Sequence, residues 1–273
     1  MAHDFRPPGH AAIPPYGGVL MEDLSLPLLV LLGLFGFAGG VGITALGPGG
    51  VLPTIGLFAL TGLSPAEVAG TAIVTHVATG ALATAAYTRS GQLRDPATRR
   101  TALLLAGTAV VGTPLGVLVN TMVSTRAFGL TLGLLLVLVA ALVWIRERRG
   151  PAAGAVPPTP LVAGLGLAVA VAAGVVGIGG PMLTVPLLIV LGVPVLESLA
   201  SAQVQSVVVA AVGTLGYLAH DAVDWPLAAL VGVPELAGVL IGWKIAHALP
   251  ARGLKYGLIV ALLALAPYLA LHG

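Results

Sequence analysis

The chain has 273 residues, of which 58% are hydrophobic and only 8% charged. So little charge cannot cover the surface of a soluble domain, and the net charge of +2 is carried by scattered loop residues rather than by a basic face that could hold nucleic acid. There is no cysteine, which excludes disulfides and thiolate metal sites.

Taken in order, residues 1–24 hold Pro7, Pro8, Pro14 and Pro15 with His3 and Asp4, and no basic segment feeding an apolar run, so they read as a short N-terminal arm. Apolar segments follow at 26–46, 50–63, 66–88, 101–120 and 127–145, then at 161–177, 180–192, 196–218, 226–247 and 254–271. The pattern predicts an all-α polytopic membrane protein, with a first transmembrane repeat over 25–146 and a second over 161–273. The proline-rich stretch 147–160 joins them as a cytoplasmic linker. The second segment of each half is short. As a helix, 50–63 rises about 21 Å, against about 30 Å of hydrocarbon. It either tilts in a thin region or dives in and returns.

The two halves superpose. Gly47-Pro48-Gly49-Gly50 and Gly177-Ile178-Gly179-Gly180 are separated by 177 − 47 = 130 positions. The same shift brings Thr54 onto Thr184, Glu67 onto Glu197, Thr84 onto Thr214, Tyr87 onto Tyr217 and Pro96 onto Pro226. This is an internal duplication, and matched Gly/Pro interruptions in two halves of a membrane protein point to a transporter's binding site. Broken backbone at membrane depth is tolerated only where protein or a water-filled cavity surrounds it, so the two breaks are expected to face each other. The positive-inside rule favours an inverted second half. Inversion places every lysine and arginine except Arg6 and Arg126 on one side, including Arg89, Arg94, Arg99, Arg100, Arg146, Arg148, Arg149, Lys244, Arg252 and Lys255.

Glycine permits the turn and proline forbids continuing the helix. The helix that starts after each break presents free N–H groups and the positive end of its dipole. Gly47, Gly49, Gly50, Gly177, Gly179 and Gly180 are therefore candidate anion-binding positions, the alternative being that they only let helices pack closely. Thr71, Thr75 and His76 in one half, with Ser201, Gln203, Gln205 and Ser206 in the other, form a polar cluster on the two third helices. Positions 71 and 75 share a helix face, as do 201 and 205. Their donors suit sulfonate or sulfite oxygens, or else bond helix to helix. His76 and Glu235 are ionisable groups at membrane depth and candidates for proton coupling. The alternatives are a packed neutral histidine, and a glutamate reaching an aqueous vestibule. Ser64-Pro65-Ala66-Glu67 reads as a capping box, and Glu197 after Pro194 as its counterpart.

The runs Gly39-Gly40…Gly47-Pro48-Gly49-Gly50, Gly70-Thr71-Ala72 and Gly174…Gly177-Ile178-Gly179-Gly180-Pro181-Met182-Leu183-Thr184-Val185-Pro186-Leu187-Leu188 resemble the duplicated signatures of the TauE/SafE-type sulfite exporter family. Two departures lie in the first half, Pro48 in place of a small residue and Gly56 where the second half has Pro186. The resemblance implies a secondary transporter of the bacterial inner membrane that exports sulfite, sulfoacetate or a related organosulfur anion, without an ATPase partner. Its expected partners are the small anion and the lipid bilayer, with a homodimer open. No cofactor, metal or nucleic acid is expected. The sequence has no GxxxxGK[ST] and no HExxH, so an anion channel of the same architecture stands well ahead of an intramembrane enzyme as the alternative.

Overall fold

The computed structural model of the chain describes residues 24–148 and 157–249. Among them are nine α-helices: α1 (Leu26–Ala45), α2 (Leu52–Leu60), α3 (Pro65–Arg89), α4 (Pro96–Asn120), α5 (Thr125–Arg148), α6 (Thr159–Val176), α7 (Pro181–Val190), α8 (Val195–Leu218) and α9 (Trp225–Ala248). Single 3-10 turns precede α2 (Pro48–Val51) and α4 (Gln92–Arg94). Most of the arm, residues 149–156 of the linker with Arg149, and the last apolar segment 254–271 with Arg252 and Lys255 before it, lie outside the described residues. So do the side chains of Arg146 and Arg148.

All but α2 and α7 are long and apolar enough to cross a membrane. Leu103, Val110 and Leu118 of α4 and Leu130 and Leu134 of α5 are exposed on outward faces. A row of bare aliphatic side chains is stable against lipid and not against water. The protein is a helical, multi-pass membrane protein.

Local signals set the helix starts. Ser64 caps α3 as expected: its N–H donates to Glu67 Oε2 (2.8 Å), and the Glu67 N–H donates to Ser64 Oγ (3.3 Å). The counterpart at α8 is absent. The residue before α8 is Pro194, which has neither a hydroxyl to accept nor an N–H for Glu197 to receive, and no side-chain cap forms there. Asp95 and Asp224 cap α4 and α9 through the N–H groups of Thr98 (2.8 Å) and Leu227 (2.9 Å).

The short helix α2 returns along α1. Gly42 packs on Gly49, Gly39 on Pro53 and Phe35 on Gly56, so the two segments run in opposite directions from the break. Gly47 makes the turn with φ 102°, and Gly177 ends α6 with φ 72°, conformations that L side chains avoid.

A broken helix leaves carbonyls without partners. The Thr44 carbonyl would have been served by residue 48, but Pro48 has no N–H. The Tyr87 hydroxyl donates to it instead (2.6 Å). In the second half the Ile178 N–H turns to Ala173 O, and the Tyr217 hydroxyl donates to Gly174 O (2.6 Å). The two bonds correspond, since 44 + 130 = 174 and 87 + 130 = 217. Both tyrosines are fully buried.

The halves interlock. α1 packs along α9, with Gly36 on Val231, Gly40 on Glu235 and Val41 on Gly242, a parallel pair. α4 packs along α6, with Gly112 on Ala170 and Gly116 on Gly174, again parallel. Between them α3 and α8 cross, Gly70 meeting Tyr217, Ile73 meeting Gly213 and Gly80 meeting Val207, which is an antiparallel order. Glycine at these crossings brings backbones together where lipid offers no hydrophobic drive between helices.

Candidate functional site

Both breaks come to rest beside the midpoints of the long third helices, and beside each other. The Cα of Gly47 backs onto Val185 and the Pro181 carbonyl, and the Thr54 hydroxyl donates to Gly177 O (3.3 Å). His76, halfway along α3, lies between them. A Cβ added to Gly50 would meet His76 Nε2 at 3.0 Å, and one added to Gly179 would meet His76 Cδ2 at 3.1 Å and Ser206 Oγ at 2.7 Å. The missing side chains are thus what lets the imidazole and the Ser206 hydroxyl touch the backbone of both breaks.

The hydrogen-bond accounting around His76 is unusual. Nδ1 lies 2.9 Å from Ala72 O and Nε2 lies 3.1 Å from Gly50 O. Carbonyl oxygens only accept, so a ring with one hydrogen leaves its other nitrogen lone pair facing an oxygen. Both bonds form only when both nitrogens carry hydrogen. Glu235 stands where a balancing charge would sit: its Oε1 is 3.5 Å from His76 Nε2, and both side chains are fully buried. The Thr75 hydroxyl donates to Glu235 Oε2 (2.6 Å) and also lies 2.9 Å from Ala72 O. Glu235 therefore does not reach an aqueous vestibule. It closes a buried group of three side chains drawn from α3 and α9. Pairing of this kind is what low dielectric demands of two ionisable groups.

Several polar atoms at this centre are left over. Ser206 Oγ, Gln203 Oε1 and Glu235 Oε1 are buried without a hydrogen-bond partner. Among the described residues, no acceptor engages the N–H groups of Gly179, Gly180 or Met182, which open α7. Buried polar groups are normally satisfied, so a cluster of unsatisfied donors and acceptors around one point marks a place for a polar guest.

A family model, that of the sulfite exporter TauE/SafE, matches residues 32–269. The chain belongs to the TauE/SafE family. No curated protein and no solved structure matches it. TauE/SafE proteins are a membrane family of sulfite exporters, and the match takes in both breaks, α3, α8 and the buried group on α9.

Within this TauE/SafE chain, the residues singled out from sequence fall into two sets. Gly47, Gly49, Gly50, Thr75, His76, Gly177, Gly179, Gly180, Gln203, Gln205 and Glu235 gather at the paired breaks. The Gln203 amide donates to Ile43 O (2.9 Å), another carbonyl freed by the first break, and Gln205 donates to Gly166 O (3.2 Å) while accepting from Thr184. Thr71 and Ser201 are engaged elsewhere. The Thr71 hydroxyl accepts from the Asp224 N–H (2.9 Å) at the start of α9, and Ser201 Oγ donates to Thr98 O (3.3 Å) in the first turn of α4. Sequence reasoning named His76 and Glu235 separately and missed that they are partners, 235 − 76 = 159 positions apart. The signal was available, because two ionisable groups at the same depth in lipid have few stable arrangements other than contact. It also missed the standing of Ser206, which occupies the repeat position of His76 and faces the same gap.

Proposed function

We propose that this protein is a secondary transporter of the bacterial inner membrane that exports a small sulfur-containing anion, sulfite or a short organosulfonate such as sulfoacetate, and that the anion rests between the two helix breaks. The reading is carried by one observation: at the level where the two breaks meet, a histidine with both nitrogens aimed at acceptors stands beside an unpartnered serine hydroxyl and the free N–H groups that open α7. Donors of that kind, shielded from water, suit a tetrahedral or pyramidal oxyanion. Membership of the sulfite exporter TauE/SafE family supports the export direction and the sulfur chemistry.

The antiparallel crossing of α3 and α8, which are repeat counterparts, supports an inverted-topology arrangement in which one repeat rocks against the other around the site. Ser206 and the N–H groups of Gly179 and Gly180 would hold the oxygens beside the His76 ring, whose own N–H groups stay on Ala72 O and Gly50 O, with Gln203 Oε1 free to accept from a protonated anion. The deciding experiment is flux of labelled sulfite and sulfoacetate in proteoliposomes. Saturable transport that His76→Ala abolishes and Thr71→Val leaves standing supports this placement. No saturable flux of any small sulfur oxyanion ends it.

A further inference from the structure

The buried carboxylate has no counterpart in the other half, since position 235 of the second repeat corresponds to Leu105 of the first. It is also the wrong sign for an anion site, and that contradiction is informative. We propose that Glu235 is a tethered stand-in for the transported anion: it neutralises His76 while the carrier is empty, and it takes up one proton when a substrate anion replaces it, so that proton and anion binding are coupled one to one. This rests on the transporter reading above and adds the ion that binds with the anion.

Four features of the geometry support the exchange. First, Glu235 Oε1 is the nearest carboxylate oxygen to His76 Nε2, at 3.5 Å, and has no hydrogen-bond partner of its own. It offers charge without a tight bond, as a displaceable counter-ion must. Second, the Thr75 hydroxyl serves both protonation states of Glu235. It donates to Oε2 when the carboxyl is ionised. When the carboxyl holds a proton, Thr75 can turn its single hydrogen to Ala72 O and accept from the acid. Third, Thr75, whose hydroxyl bonds Glu235, also lines a cavity of about 230 Å³ between α3 and α9, bounded by Val74, Ala78, Trp225, Gly232 and Leu236. Fourth, the charge count closes. The imidazolium and carboxylate sum to zero in the empty carrier. With a monoanion bound and Glu235 protonated they again sum to zero, and low dielectric penalises any other total.

Among the described residues, the titratable group in contact with Glu235 is His76. α1, which packs along α9 at this level, carries no ionisable side chain. α3 contributes His76 at its middle, with Glu67 and Arg89 at its two ends. On α9 itself Asp224 caps the first turn, and Lys244 and His247 lie more than two turns beyond Glu235. The Gln203 and Gln205 amides from α8 do not titrate.

The test uses the full-length protein in detergent with methanesulfonate, a probe whose own charge is constant between pH 5 and 9, and sulfite as a second ligand. Proton uptake on binding is read with an indicator dye in weak buffer, and affinity by calorimetry at several pH values. One proton taken up per methanesulfonate bound, with affinity falling about tenfold per pH unit wherever Glu235 is ionised in the empty protein, is the expected result. In Glu235→Gln, which keeps the shape and the Thr75 contact, methanesulfonate should bind with no proton uptake and no pH slope. Binding of methanesulfonate to the unaltered protein without proton uptake overturns the coupling while leaving the transporter reading intact, and needs no variant to fold. Proton uptake that persists unchanged in a folded Glu235→Gln protein also overturns it, by assigning the proton elsewhere. Failure of both methanesulfonate and sulfite to bind at any pH overturns the underlying transporter reading as well.

Discussion

The two repeats share a scaffold and differ in what they put inside it. In each half a glycine break ends a helix, a buried tyrosine forty-three positions on caps the carbonyl that the break sets free, and a long helix crosses its counterpart near the middle. The equipment at that crossing differs. His76 stands where the second half has Ser206, Thr75 where it has Gln205, and Glu235 where the first half has Leu105. Leu105 is buried with Val162 and Leu188 in a small apolar cluster, whereas Glu235 is buried on a histidine. The breaks differ too. The first folds through Pro48 into a 3-10 turn and needs Gln203 from the other half to satisfy Ile43 O. In the second, the chain's own Gly177 and Ile178 N–H groups serve Ala173 O. Duplication explains the scaffold, since identical sequence solves an identical backbone problem twice. The differences locate chemistry, because a charged pair made between the halves and not repeated at the corresponding positions Ser206 and Leu105 contributes nothing that the fold itself requires.

That contrast gives the largest expected effect. Removing one member of the pair leaves the other charged, buried and alone, so Glu235→Ala or His76→Ala should destabilise the protein by about 3–5 kcal/mol. Replacing both by the residues at their repeat positions, His76→Ser with Glu235→Leu, removes the orphaned charge. The double variant should be less destabilised than the sum of the singles by at least about 1 kcal/mol. Thermal unfolding in detergent measures all of these, and strict additivity would mean that the two side chains do not share an ion pair.

A slightly smaller effect is expected at the breaks. Gly177→Ala places a Cβ into the backbone of Ala69 while holding a φ of 72°, and overpacking against backbone together with left-handed strain should cost about 3 kcal/mol. Gly91→Ala separates the two contributions. It also has a positive φ, but nothing lies within 4 Å of the added atom, so only strain of about 1–2 kcal/mol remains. Equal losses at the two sites would show that the close approach to Ala69 does not matter.

Much of this was legible in the sequence because it depends on local rules. The breaks announce themselves as Gly/Pro clusters inside apolar runs, and α3 begins at Pro65 because Ser64 and Glu67 stand at capping-box spacing. The duplication made Tyr87 and Tyr217 visible as a pair before either had a partner. What could not be read was any contact between halves. Nothing in the spacing of Thr75, His76 and Glu235 links them, because α9 reaches α3 only by interlocking with α1. The same limit explains Thr71 and Ser201, which share a helix face with Thr75 and Gln205 in sequence and yet spend their hydroxyls on the loops that start α9 and α4. Glu197 misled for a local reason, since the residue needed to complete its cap is a proline.

The tyrosine caps test the symmetric side of the comparison. Tyr87→Phe and Tyr217→Phe each leave one buried carbonyl without a donor, at about 1–3 kcal/mol. If the scaffold is truly duplicated, the two losses should agree within about 0.5 kcal/mol and add in the double variant, because distant, independent sites do. A marked inequality would show that one break is held by something other than its tyrosine.

The smallest effect is expected at the helix starts, where the halves already differ. Ser64→Ala removes the hydroxyl that accepts from Glu67 N–H and should destabilise by about 1 kcal/mol. The second half already does without such a hydroxyl, since α8 begins after Pro194 with no side-chain cap and still runs to Leu218. Its first turn is fixed by proline's restricted φ rather than by a hydrogen bond. Ser64 cannot borrow that device, because Pro65 already follows it and a proline at 64 would also remove the N–H that now donates to Glu67. Ser64→Pro should therefore be no better tolerated than Ser64→Ala. A Ser64→Pro protein more stable than the unaltered one would mean that the capping box at α3 contributes less than the stiffness that α8 relies on.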